Sequence, residues 1–232
     1  MKYQYLLKQV RKEEQLGSVV IRSLQDVNLE VEEGSFHSIC GPEGSGKSKI
    51  ISILSLIDVP SSGEFYFNGE NIAQLSYRDV SWIRSTQIGV IPQVININFT
   101  SSVLDNISMI SKIMGEDNKL AKEKAMYWLQ QVRLDHIAHL SPLELDFTAT
   151  KKLGIAKAMI KNPKILLADN IYHQIPTTGA EELLNLLTDL NLQHGITVVQ
   201  TARTDRFVKS NSFVYDIHNG KTSKRCIAST AA

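Results

Sequence analysis

Eight consecutive residues, Gly41-Pro42-Glu43-Gly44-Ser45-Gly46-Lys47-Ser48, match the phosphate-binding loop G-x-x-x-x-G-K-[ST] at every fixed position. The chemistry needs these residue types in this order. Glycines let the backbone curl tightly enough to aim successive N–H groups at phosphate oxygens. Lys47 then reaches the β- and γ-phosphates, and the Ser48 hydroxyl holds Mg²⁺. The flanks suit the same task. Phe36 to Cys40 reads as a short buried strand entering the loop, and Lys49 to Leu56 reads as a helix leaving it. The N-terminal end of that helix dipole therefore faces the anion.

The elements that must position this loop follow from the rest of the pattern. Strands are expected at Val19 to Leu24, Val27 to Val31, Phe36 to Cys40, Glu64 to Phe67 and Gly89 to Pro92. Helical spacing takes over at Ser102 to Met114 and Asn118 to Arg133, broken at Gly115, and again from Lys151 to Ile160. Two buried strands, Ile165 to Ala168 and Thr197 to Gln200, flank a helix from Ala180 to Leu192. A final strand, Phe213 to Ile217, ends at the hairpin turn Asn219-Gly220. The chain of 232 residues suits one α/β domain with an insertion, and 43% hydrophobic residues suffice for a packed interior.

Composition excludes several classes of function. A net charge of +1 argues against a dedicated nucleic-acid binder. No stretch approaches the roughly 18–20 uncharged apolar residues of a membrane span, and no signal-peptide core opens the chain. Cys40 and Cys226 make no disulfide framework, and Cys40 in a buried strand suits a reducing cytoplasm. The last residues, Cys226 to Ala232, read as a frayed end. His136 and His139 read as solvated or core residues rather than metal ligands, and Tyr127-Trp128 with Met126 as core of the helical segment.

Taken end to end, the layout resembles the nucleotide-binding subunit of an ABC transporter. Ser62-Gly63-Glu64 with Asn68-Gly69 looks like that family's β segment, and Gln93 falls where the family places its Q-loop glutamine. Asn162 to Asp169 is similar to the second phosphate motif. The segment Trp82 to Gly89 is most like the macrolide-exporter, lipoprotein-release and cell-division branch. The resemblance implies an α/β P-loop NTPase with a RecA-like core (residues 1–93 and 151–232), an antiparallel β subdomain and a helical subdomain (94–150). It implies ATP and Mg²⁺ as ligands, with Ser48, Gln93 and Asp169 around the metal and Gly41 to Lys49 around the phosphates. It further implies a homo- or heterodimer docked on integral membrane permease subunits at the cytoplasmic face, with no nucleic-acid partner.

The departures from that family are as informative. Asn170 stands where the family has the glutamate that polarises the attacking water. An amide orients water but cannot take its proton, and general-base assistance is worth about 10²–10⁴ in rate. Counting back from Asp169 by the family's spacing, its signature LSGGQ becomes Leu145-Asp146-Phe147-Thr148-Ala149, three residues after Pro142. Asp146 puts a carboxylate where a γ-phosphate should be capped. Two like charges at about 4 Å repel by roughly 1 kcal/mol in water and about 4 at intermediate dielectric. Arg203 takes the place of the switch histidine and cannot shuttle between charge states. Ile171 to Pro176 replaces the dimer-contact loop. Glu14 occupies the region of the adenine-stacking aromatic, while Lys49, at a usual threonine position, adds positive charge beside the phosphates.

These features favour a pseudo-ATPase that binds Mg²⁺-nucleotide and serves as a structural or regulatory partner. An active ABC ATPase powering export or mechanotransmission is the alternative. A soluble P-loop ATPase or kinase unrelated to transport is the third reading, although an acceptor-substrate lid is not found.

Overall fold

The computed structural model describes residues 3–210 and 212–225. Cys226 to Ala232, read above as a frayed end, lie outside them.

Two long strands open the chain, β1 (Tyr3–Leu16) and β2 (Val19–Glu32), paired antiparallel. The expected strands 19–24 and 27–31 are one element. Gln25 and Asp26 do not break it, because their N–H groups donate to Gly220 O at 2.8 and 3.3 Å. Strand β1 was not expected, since its second half is a charged run, Arg11 to Gln15, that hides the alternation. It is held by β2 on one side and by β4 (Ser62–Phe67) on the other. Between them come β3 (Phe36–Cys40) and helix α1 (Lys47–Leu54), with the phosphate loop joining the two. A two-residue β5 (Glu70–Asn71) closes this antiparallel part.

Helix α2 (Tyr77–Thr86) is capped by Ser76, whose hydroxyl accepts from Asp79 N at 3.2 Å. Only Ile83 is fully buried on it, which is why apolar spacing did not reveal it. Strand β6 (Ile88–Ile91) precedes α3 (Val103–Ile113) and α4 (Asn118–Gln131), capped by Ser102 and Asp117. Helix α5 (Phe147–Met159) starts four residues before the expected Lys151, because the Asp146 carboxylate caps it. Strand β7 (Ile165–Ala168), helix α6 (Thr177–His194), β8 (Thr197–Ala202) and β9 (Phe213–His218) follow. The turn after β9 leads into β10 (Lys221–Arg225), whose KTSKR sequence carries no strand signal. It is a strand because β9 and β2 supply hydrogen-bond partners on both sides.

The ten strands among the described residues form one sheet, ordered β5-β4-β1-β2-β10-β9-β3-β8-β7-β6. The half containing β9, β3, β8, β7 and β6 is parallel, so it must be covered on both faces. Side-chain alternation shows that cover. Leu166, Ala168 and Val198 join a core formed with α3 to α6, whereas Ile165, Leu167 and Val199 join the core of α1 and the β1–β2 hairpin. Because the strands run the same way, their C-terminal ends lie on one edge of the sheet. The phosphate loop after β3, Gln93 after β6, Asp169 after β7 and Arg203 after β8 all emerge there. No helix among the described residues is long and apolar enough to cross a membrane.

Candidate functional site

The phosphate loop is wedged between strands and has room only for glycine at two points. At Gly41 an added Cβ would lie 2.3 Å from Ile217 O, and at Gly46, with φ of 106°, 2.7 Å from Ser23 O. Hydrogen bonds fix the loop further: Gly41 N donates to Ala202 O at 3.2 Å and Gly220 N to Ser45 O at 3.1 Å. Lys47 opens α1 and folds back over the loop, its ammonium donating to Gly41 O at 2.6 Å and Pro42 O at 2.5 Å. Burial lowers its pKa from the ordinary lysine value, against the attraction of Asp169. The ammonium is thus held at the loop by weak carbonyl acceptors that an anionic phosphate can outcompete.

A cleft of about 320 Å³ lies in front of the loop, lined by Glu43, Gly44, Gly46, Lys47, Ser48, Lys49, Gln93 and Asn170. Asp169 follows the end of β7 and directly precedes the lining residue Asn170, its N–H bonded to Ile91 O at 2.9 Å. One residue that the sequence did not single out organises this corner. The Thr201 hydroxyl donates to Asp169 Oδ1 at 2.8 Å and accepts the Asn170 N–H at 2.8 Å. That leaves Asp169 Oδ2, the Gln93 amide oxygen and the Ser48 hydroxyl as oxygen donors, a set that suits a hard cation such as Mg²⁺. Among the described residues no group of three or more His, Cys, Asp or Glu is placed to hold a metal, so phosphate oxygens would have to complete such a shell. Asn170 is buried with φ of 45°, a left-handed conformation that Asn tolerates better than most residues.

Two expected cations are not free. Lys49 Nζ lies 2.8 Å from Glu14 Oε1 and 3.3 Å from Asp58 Oδ2, and these bonds raise its pKa. The positive charge expected beside the phosphates is therefore neutralised within the protein, by Glu14 and Asp58. Arg203 reaches the loop, but its Nη1 pairs with Glu43 Oε1 at 2.9 Å.

The Leu145 to Ala149 segment lies apart from this cleft. Asp146 caps α5 by accepting the Ala149 N–H at 2.6 Å, so its carboxylate sits on the helix N-terminus, where an anion would otherwise bind. Phe147 is 66% exposed beside it. Leu145 and Phe147 line a second cleft of about 420 Å³, and among the described residues Gln93 alone borders both. Lysines of α5 hold the intervening strap, Lys151 donating to Gln93 O and Lys157 to Asn96 O. At Gly154 an added Cβ would lie 2.5 Å from Ile95 Cδ1, so the strap packs directly on the helix.

Residues 24–172 match the family model described as ABC transporter. The chain belongs to the ABC transporter family. The lipoprotein-releasing system ATP-binding protein of Blochmanniella floridana is 31% identical over 206 residues, spanning 89% of this chain and 88% of that protein. The macrolide export ATP-binding/permease protein of Bdellovibrio bacteriovorus is 35% identical over 193 residues, 83% of this chain and 29% of that longer protein. In three dimensions the ABC fold matches the dimeric ATP-binding cassette MJ0796 of Methanocaldococcus jannaschii, solved with ADP and Pi. The TM-score is 0.86 at 28% identity, over 96% of this chain and 100% of that one. The protein is an ABC nucleotide-binding subunit of the macrolide-export and lipoprotein-release branch.

Proposed function

We propose that this ABC subunit holds Mg²⁺-nucleotide through its phosphate loop but turns it over poorly, acting as a structural or regulatory partner of membrane permease subunits. In this reading Gly41 to Ser48 cradle the phosphates, Lys47 neutralises them, and Ser48, Gln93 and Asp169 supply oxygen ligands to Mg²⁺. When bound, the metal would offset charge on the phosphates. The chain's own groups then lack the means to finish the reaction. Asn170 offers an amide in place of a base, and Arg203 a fixed cation already paired with Glu43.

The observation that carries the reading is the Asp146 cap. By the family resemblance, the N-terminus of α5 is the group that a dimer would offer to the opposite subunit's nucleotide. Here it is already occupied by the chain's own carboxylate, which repels a phosphate. The relatives' printed names support membrane partners, one being a fused ATP-binding/permease protein and another part of a lipoprotein-releasing system. Docking on permeases places the subunit at the cytoplasmic face. The test is direct: titrate Mg²⁺-ATP and Mg²⁺-ADP against the purified chain and measure phosphate release. Saturable binding with turnover at background is expected. Turnover that vanishes in Lys47→Ala and returns with added wild type would show an active enzyme.

A further inference from the structure

Thr201 is a fully buried polar residue near the C-terminal end of β8, opposite Ile39 of β3 in the parallel ladder. Val199, two residues earlier on the same face of the strand, is apolar and joins the core of α1. A valine would fill the Thr201 position equally well, so the buried hydroxyl needs a reason. Its hydrogen bonds supply one. The Asn170 N–H can only donate, so the hydroxyl accepts there at 2.8 Å. Its single proton therefore goes to Asp169 Oδ1, also at 2.8 Å. Strand register brings these groups together. Ala168 lies opposite Gln200, so Asp169 and Thr201 are the next residues out, meeting at the edge where the cleft opens.

The donor is neutral, so it holds the Asp169 carboxylate without cancelling its charge, unlike the Lys49 ammonium on Glu14. With Oδ1 held, the carboxylate keeps one orientation, and Oδ2 is the oxygen left for a cation shared with Ser48 and Gln93 of the cleft. Partners that orient a metal ligand from behind matter, and their loss typically costs about 10–100-fold in metal affinity. The cost depends on the ion. Mg²⁺ demands near-ideal octahedral geometry, whereas Ca²⁺ accepts more ligands in looser arrangements. A carboxylate locked in one orientation therefore favours the smaller ion. We infer that Thr201 is a positioning residue that locks Asp169 and so gives the nucleotide site a preference for Mg²⁺ over Ca²⁺. This rests on the phosphate-site reading given above.

Calorimetric titration of the full chain with the non-hydrolysable ATP analogue AMP-PNP, in Mg²⁺, in Ca²⁺ and in EDTA, tests it. The wild type is expected to bind about tenfold tighter with Mg²⁺ than with Ca²⁺. Thr201→Val keeps the shape and removes the hydroxyl. Binding should weaken about tenfold or more with Mg²⁺, less than about threefold with Ca²⁺, and not at all in EDTA. Thr201→Ser keeps the hydroxyl and should keep the preference. Thr201→Cys, whose thiol donates only weakly, is a second variant for which loss of preference is expected. Asp169→Asn removes the charge that Thr201 serves, so adding Thr201→Val to it should cost nothing further in Mg²⁺. A wild type without ion preference overturns the inference, as do equal losses in all three conditions or an unchanged preference in Thr201→Val or Thr201→Cys. A further tenfold loss in the double variant does the same. If the analogue does not bind, or Lys47→Ala leaves its binding unaffected, the phosphate site itself is misassigned and the inference falls with it.

Discussion

Glu43 Oε1 lies 2.9 Å from Arg203 Nη1, so the phosphate loop and the end of β8 are joined by an ion pair at the edge of the cleft. Both side chains are more than half exposed, at 62% and 55%, and such pairs are worth about 0–1 kcal/mol. The pair therefore matters less for the fold than for the charge that an incoming phosphate meets. Glu43→Ala removes a carboxylate from the loop and frees the guanidinium. Mg²⁺-nucleotide affinity is expected to rise about threefold to tenfold, with the melting temperature unchanged. Titration and thermal unfolding of the variant check both parts.

Restoring one catalytic group is not expected to restore turnover. Asn170→Glu supplies a base but puts a glutamate into a backbone with φ of 45°, at a cost of about 1 kcal/mol or more. It also leaves the Asp146 carboxylate on the N-terminus of α5. Phosphate release by Asn170→Glu alone should stay within about threefold of background, against the 10²–10⁴ that a working base provides. Activity should emerge only when Asp146→Ser, Phe147→Gly, Thr148→Gly and Arg203→His are added. Full activity from the single variant would remove the case for the Asp146 cap.

Lys151 fastens the strap between the two clefts. Its buried ammonium donates to Gln93 O, and burial lowers its pKa against the attraction of Asp169. Lys151→Met keeps the stem but leaves the carbonyl without this donor, a loss of about 1–3 kcal/mol. Denaturant unfolding should show the loss, and amide exchange should quicken over residues 93–97. The phosphate loop should keep its protection, since its anchors lie on β8 and the β9–β10 turn.

Acid stability should depend on His37. The ring is buried, stacks on Phe213 at 4.8 Å and lies 2.6 Å from Ser35 Oγ through Nε2. Burial, aided by the nearby Lys224 charge, pushes its pKa down from 6.5 to about 3. Between those values the unfolded chain binds a proton that the folded chain does not. Stability is thus present in full above pH 6.5 and is lost as pH falls toward 3, by at most about 1.4 kcal/mol per pH unit. His37→Phe keeps the stacking and removes the proton site. The stability difference between pH 7 and pH 4.5 should shrink by about 2 kcal/mol in chemical denaturation.

Much of this protein could be read locally. The strand, loop and helix around Gly41 to Ser48 appear where expected because short-range geometry and a buried apolar run both point the same way. Strands β7 and β8 were found for the same reason, being buried on both faces. Strands β1 and β10 and helix α2 were missed. β1 and β10 are polar and exist because of neighbours distant in sequence, while α2 buries only one residue fully.

By itself the sequence determined the phosphate loop and the ABC family, and it placed Asn170, Asp146 and Arg203 at the positions on which the proposed poor turnover rests. These depend on residue identity at fixed spacing. What these side chains are bonded to, only the tertiary structure decided. Glu14 and Lys49 are 35 positions apart, and Asn170 and Thr201 are 31 apart. Whether a charge stays free for a ligand or is satisfied within the protein depends on which side chain lies within about 3 Å of it. The folded sheet sets that distance, by bringing the ends of β3, β7 and β8 to one edge and laying the β1–β2 hairpin beside α1.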